Sequence, residues 1–203
     1  MNPGDRKALF YLVSYFKPLH VLEIGTHIGV STLHIASAMA HYRARDPKNI
    51  GMVSLDFRDV NSSYEKPWLK YGTKYTPARM VYMLHYDDFL TFKTMRSLDF
   101  FSRTTQKFDF IFLDGNHSAS AVYREIPSAL EVLEDDGVIL LHDYFPDNEP
   151  IWDNGKKISG PYLAVERLIK EGANLGVLPL GKLPWKTKGD SRLTSLALLF
   201  HKN

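Results

Sequence analysis

Apolar positions along this chain fall mostly into short continuous runs rather than strict alternation, the pattern of strands covered on both faces in a parallel sheet. Such runs predict strands at residues 20–25 (HVLEIG), 50–56 (IGMVSLD), 80–88 (MVYMLHYDD), 108–115 (FDFIFLDG) and 137–143 (GVILLHD). Between them the apolar spacing turns helical. One helix is predicted from Ser31 to about Arg45, with Ser31 and Thr32 as capping residues. Another runs over 118–133, where Val122, Ile126, Leu130 and Leu133 share one side. Pro127 predicts that this helix is kinked or begins late. A further helix covers 161–171, with proline in its first turn. The runs ANLGVLPLG and RLTSLALLFHKN, joined by a Pro/Gly/Lys-rich connection, predict an antiparallel pair at the C-terminal end. Alternating strands and helices that close on such a pair make an open α/β sandwich.

Composition narrows the class. With 203 residues, 44% hydrophobic and 24% charged, the chain can build one ordinary core, so a single domain over 1–203 is expected, with 1–18 as an N-terminal helical extension. The formal net charge of +2 is small and the basic residues are scattered, which argues against a nucleic-acid partner. The locally basic stretch 182–192 reads as a solvated hairpin loop. The absence of cysteine excludes disulfides, thiolate chemistry and Cys-type zinc sites. The N-terminal apolar run is cut by Ser14 and Lys17 and has no small-residue cleavage site, and no run reaches the length of a membrane span. A cytoplasmic chain without a membrane partner is expected.

Ligands of such sheets bind beyond the carboxyl ends of the strands. The predicted strands all end in acids: Glu23 before Gly25, Asp56, Asp87 with Asp88, Asp114, and Asp143 after His142. The turn after the first strand is Glu23-x-Gly25-x-x-x-Gly29, with Thr26, His27 and Ile28 between the glycines. This is not the G-x-G-x-x-G spacing of a pyrophosphate-binding turn, and no phosphate-loop lysine follows. A glycine turn preceded by one acid and followed by a second, suited to ribose hydroxyls, fits a nucleoside without phosphates. S-adenosylmethionine is such a ligand.

On these residues the chain resembles the class I S-adenosylmethionine-dependent methyltransferases, which implies a Rossmann-like α/β three-layer sandwich whose seven-stranded sheet is mostly parallel with an antiparallel terminal strand. EIGTHIGVS looks like their first motif, Asp56 like the acid ending the second strand, and Asp87 like the adenine-side acid after the third. The resemblance thus implies cofactor contacts at Glu23, Gly25, Thr26, Gly29, Ser31, Asp56, Phe57, Asp87 and Asp114. The block from 108 to 147 is similar to the metal-dependent O-methyltransferases of macrolide sugars and to cephalosporin-hydroxylase-like sequences. There a D-G-x-H element after the fourth strand is followed by an acidic or His-Asp pair after the fifth. By that resemblance Asp114, His142 and Asp143 hold a divalent cation and His117 is the general base.

The residue chemistry agrees. Neighbouring strands lie about 4.8 Å apart, so Asp114 and Asp143 at adjacent strand ends can converge on one ion. Carboxylate oxygens suit Mg²⁺, the expected cation, while an added imidazole favours Mn²⁺ or Fe²⁺. Methyl transfer to a hydroxyl needs its proton removed as the new bond forms, and imidazoles titrate near neutrality. The expected reaction is O-methylation of a small molecule, a sugar or polyhydroxylated metabolite, in a chain that can form a homo-oligomer. Residues 57–79, with Tyr64, Trp68, Tyr71 and Tyr75, form either a lid insertion or an irregular satellite on the core. Trp152 is either an acceptor-stacking ring or a core anchor. His27 and His34 are expected to pack or face solvent. Two other readings stay open: a metal-independent methyltransferase in which His117 works alone, and a cofactor-binding protein without turnover. A nicotinamide-dependent oxidoreductase is disfavoured by the glycine spacing.

Overall fold

The computed structural model describes residues 1–43, 49–147 and 157–202. In chain order the elements are α1 (Pro3–Phe16), β1 (His20–Ile24), α2 (Val30–Arg43), β2 (Gly51–Asp56), α3 (Pro77–Met83), β3 (Leu90–Thr94), α4 (Ser97–Phe101), β4 (Phe108–Leu113), α5 (Ala119–Glu131), β5 (Leu133–Leu141), α6 (Gly160–Lys170), β6 (Leu175–Pro179) and β7 (Ala197–His201). The seven strands form one sheet in the order β3-β2-β1-β4-β5-β7-β6. The first five pair in parallel, and β7 runs antiparallel between β5 and β6. This is the Rossmann-like sandwich expected.

Strand side chains alternate between faces, so one sheet supplies two cores. Leu22, Ile24, Leu55, Ile111, Ile139 and Leu141 face α4, α5 and α6. Val21, Met52, Phe110, Phe112 and Leu140 face α1, α2 and α3. Both neighbours being apolar explains the continuous runs in the sequence. The N-terminal helix α1 is part of this packing, with Leu9 and Val13 fully buried. Its start is fixed by Asn2, whose side chain accepts the Asp5 amide hydrogen bond at 2.9 Å.

The third strand lies elsewhere than the sequence pattern places it. Met80 to Met83 belong to α3, which Thr76 caps by accepting from the Arg79 amide at 2.9 Å and Pro77 opens. The strand itself is LTFKT, mostly uncovered because β3 is the edge of the sheet. Smaller differences have local causes. Helix α5 begins at Ala119 under a Ser118 cap and runs through Pro127, and Leu133 already belongs to β5. Ser31 and Thr32 sit inside the first turn of α2 rather than capping it. Arg45 and Trp152 lie outside the described residues. No helix among the described residues is long and apolar enough to cross a membrane.

Candidate active site

The order of the sheet reverses between β1 and β4, and there the carboxyl ends diverge to leave a cavity of about 1010 Å³. Its floor begins at the β1–α2 turn. Gly25 has φ 103°, and a Cβ on it would stand 2.2 Å from the Asp114 carbonyl oxygen, so only glycine lets the turn press against the end of β4. The Gly25 amide donates to the Leu55 carbonyl at 2.8 Å, which binds the turn to β2 as well. Gly25, Thr26, His27 and Ser31 line the cavity; Gly29, with φ 79°, closes the turn behind them.

Glu23 does not reach the cavity. It is fully buried beneath α2, where its Oε2 accepts from Thr32 Oγ1 and Ser54 Oγ, each at 2.5 Å, and its Oε1 has no partner. Burial pushes its pKa up to about 7, although the nearby hydroxyls of Ser31, Ser54 and Thr32 oppose the shift. Ser54 in turn lies 2.7 Å from Thr26 Oγ1, so Glu23 supports the lining from one layer behind.

At the end of β2, Asp56 accepts from the His27 amide at 2.9 Å and the Arg58 amide at 3.0 Å. It lines the cavity with Phe57, which is 70% exposed. The His27 ring meets Tyr71 edge-on at 4.3 Å, which brings the 57–79 segment to the cavity rim, while Trp68 is buried. Burial, with Arg58 nearby, lowers the pKa of His27. His34 instead hydrogen-bonds the Val30 carbonyl through Nδ1.

Asp87 is corrected by the placement of β3. Asp87 and Asp88 precede that strand, at the opposite rim, where Asp88 pairs with Arg43 at 2.5 Å. The chain that does leave β3 toward the cavity is Met95 to Asp99, and Asp99 is the acid there. Ser97 donates to Glu125, another lining residue. Burial raises the pKa of Glu125. The strand misplacement hid this segment; the alternating LTFKT with polar residues after it was the available signal.

The ends of β4 and β5 bring the remaining candidates together. Oxygens of Asp114 and Asp143 and a nitrogen of His117 lie within 4.8 Å of one another. His117 Nε2 stands 3.8 Å from Asp114 and 3.5 Å from Asp143. Asp143 has φ 58°, a left-handed backbone that only its surroundings hold in place. His142 sits deeper, 5% exposed, with Nδ1 at 2.9 Å from Asp114 and 3.2 Å from Asp143. Its Nε2 lies 3.4 Å from Asp5 of α1. Neither ring nitrogen meets hydrogen-bond angles, so these contacts are electrostatic. Burial works against a charged imidazole, but Asp114 and the close approach of Asp143 and Asp5 raise the His142 pKa well above its ordinary value. Asp143 feels the converse: burial would raise it, and His142 and His117 hold it below the usual carboxylate value.

Asp5 went unnoticed in the sequence. It is fully buried and accepts from Thr194 at 2.5 Å and from Asn2 at 2.6 Å. The signal in the sequence is its spacing, which puts Asp5 on the same helical face as Ala8, Leu9 and Val13. The paired carboxylates with imidazole form a donor set that fits a divalent cation, and the phosphate-free glycine turn fits an adenosyl group.

The comparisons agree with this geometry. A family model described as a methyltransferase domain matches residues 22–144. No curated protein matches the chain. Among solved structures, an O-methyltransferase from Bacillus cereus in complex with SAH is similar at TM-score 0.67 and 19% identity, covering 100% of this chain and 82% of that one. The O-methyltransferase TomG from Streptomyces achromogenes, involved in tomaymycin synthesis and in complex with SAM, is similar at TM-score 0.68 and 14% identity, with the same coverage. SAH-bound PaMTH1, a methyltransferase from Podospora anserina, gives 0.60 at 19% identity, covering 98% and 78%. At these identities the likeness is one of fold.

Proposed function

The chain belongs to the methyltransferase-domain family, and we propose on that footing that it is an S-adenosylmethionine-dependent O-methyltransferase acting on a hydroxyl of a small molecule, assisted by a divalent cation. The observation that carries this reading is the convergence of Asp114, His117 and Asp143 beside a cavity that also contains the glycine turn. When bound, S-adenosylmethionine supplies an electrophilic methyl group and Mg²⁺ supplies positive charge that acidifies a nearby hydroxyl.

The residues divide the work by position. Gly25, Thr26 and Ser31 are the contacts for the amino-acid part of the cofactor. Asp56 and Phe57, with Met95 to Asp99 across from them, take the nucleoside. Asp114 and Asp143 hold the cation. His142, fixed between them and Asp5, keeps both carboxylates oriented, the common task of a group behind a metal ligand. His117, 36% exposed in its side chain, takes the acceptor proton, a contribution typically worth about 10² to 10⁴ in rate. The cavity walls would hold the acceptor hydroxyl in line with the cofactor's methyl group, and the cofactor would supply the leaving group as the thioether S-adenosylhomocysteine. The acceptor is a sugar or polyhydroxylated metabolite, for which the cavity has room beside the cofactor. The Tyr71 contact to His27 supports a role for 57–79 in closing the rim.

The distances of His117 to both carboxylates favour a second arrangement, in which it completes the cation's ligand set. Calorimetric titration of S-adenosylmethionine, S-adenosylhomocysteine and Mg²⁺ tests both. Cofactor binding by the wild type, with a Mg²⁺ signal lost in Asp114→Ala, is the expected result; no cofactor binding would sink the methyltransferase reading. His117→Ala then separates the roles: a base leaves Mg²⁺ affinity unchanged and lowers kcat about 10² to 10⁴, whereas a ligand lowers the affinity itself.

A further inference from the structure

Arg6 on α1 lines the same cavity as Asp114, Asn116 and His117. It is half-buried, and its Nε is fully buried without a hydrogen-bond partner. Four other arginines have partners: Arg43 meets Asp88, Arg58 meets Asp56, Arg167 meets Glu171, and Arg124 meets the Ser120 carbonyl. Arg6 has no carboxylate within ion-pair distance among the described residues. Its chain neighbour Asp5 does not neutralise it, because the Asp5 oxygens are engaged by Asn2, Thr194 and His142. A buried guanidinium N–H without a partner is costly, and a ligand anion that pairs with it recovers that cost. The planar fork matches a carboxylate or phosphate with two parallel hydrogen bonds.

Position decides which ligand brings the anion. Asp5, one position before Arg6 on the same turn of α1, touches His142, which lies against Asp114 and Asp143, so this turn of α1 stands beside the end of the cavity where those residues converge. The nucleoside end lies at Asp56, Phe57 and Met95 to Asp99, where Arg96 is exposed to solvent. We propose that Arg6 binds an anionic group of the acceptor, a carboxylate or a phosphate, so that the molecule methylated is an anionic hydroxy compound. This rests on the methyltransferase reading and names its substrate class.

The test is calorimetric titration of inorganic phosphate and of malonate into the protein saturated with S-adenosylhomocysteine, with and without Mg²⁺, for wild type, Arg6→Gln and Arg6→Lys. Saturable binding of an anion by the wild type is expected, weakened about tenfold or more in Arg6→Gln and largely restored in Arg6→Lys. Binding of phosphate alone assigns a phosphate ester, and of malonate alone a carboxylic acid. No saturable anion binding in the wild type, or equal binding in Arg6→Gln, overturns the proposal. So does a matching loss of S-adenosylhomocysteine affinity in Arg6→Gln and Arg6→Lys, which would assign Arg6 to the cofactor's carboxylate. If the wild type binds the anions through Arg6 but not S-adenosylhomocysteine, the methyltransferase reading fails and the anion subsite stands.

Discussion

Glu23 shows how one residue can be legible in kind and not in role. Its position before the glycine turn marks it as part of the first motif, yet the structure seats it under α2 with one oxygen unpartnered. With a pKa raised to about 7 from 4.5, the folded state holds its proton more tightly than the unfolded chain does. That contribution to stability is full below about pH 4.5 and is lost as pH rises toward 7, by up to about 3 kcal/mol at 1.36 kcal/mol per pH unit. Glu23→Gln is therefore expected to flatten the decline in stability between pH 4.5 and 7, measured by urea unfolding of the cofactor-free protein. An equally steep decline in the variant would show that Glu23 is not its source. Asp87 makes the complementary point: an acid of the right type can stand at the wrong rim, because its placement depends on which neighbouring run becomes the strand.

At the scale of elements, α1 and α6 matter to the site although neither carries a recognisable motif. A Cβ on Gly160, the first residue of α6, would fall 1.9 Å from the His117 carbonyl oxygen, so α6 starts hard against the loop that presents His117. Gly160→Ala should push that loop away, costing about 1–3 kcal/mol of stability as overpacking does. It should also lower methyl transfer more than cofactor affinity, which turnover and calorimetry together would show. The helix α1 delivers Asp5 to His142. Asp5→Asn keeps the shape and removes the charge that holds His142, the group behind the two carboxylates, and Mg²⁺ binding should weaken by up to about 10-fold. Unchanged affinity with lowered melting temperature would reduce Asp5 to a packing role. Periodicity showed that these helices exist; it is silent on which polar residue of a helix reaches another element.

Over the whole molecule, the proposed cation site would join the ends of two adjacent central strands, β4 and β5, so occupancy should be felt as stability. At a Mg²⁺ concentration of about 100 times Kd, linkage contributes about 2.7 kcal/mol, and the melting temperature should rise by several degrees for a chain of this size. The rise should vanish with chelator and in Asp114→Ala; a rise that survives in the variant would place the ion elsewhere. Local pattern was enough to set the alternation of strands and helices, the strand pair at the C-terminal end, the glycine turn and the acids ending β2 and following β4 and β5, because each depends on neighbours within a few positions of the chain. Long-range packing made LTFKT the edge strand, turned Asp99 rather than Asp87 to the cavity, and brought Asp5 and Arg6 to the site from α1. Those facts depend on which strands pair and which helix crosses which face, contacts between residues far apart in the chain, Met52 with Leu90 in the sheet and Asp5 with His142 from α1, that no local pattern encodes.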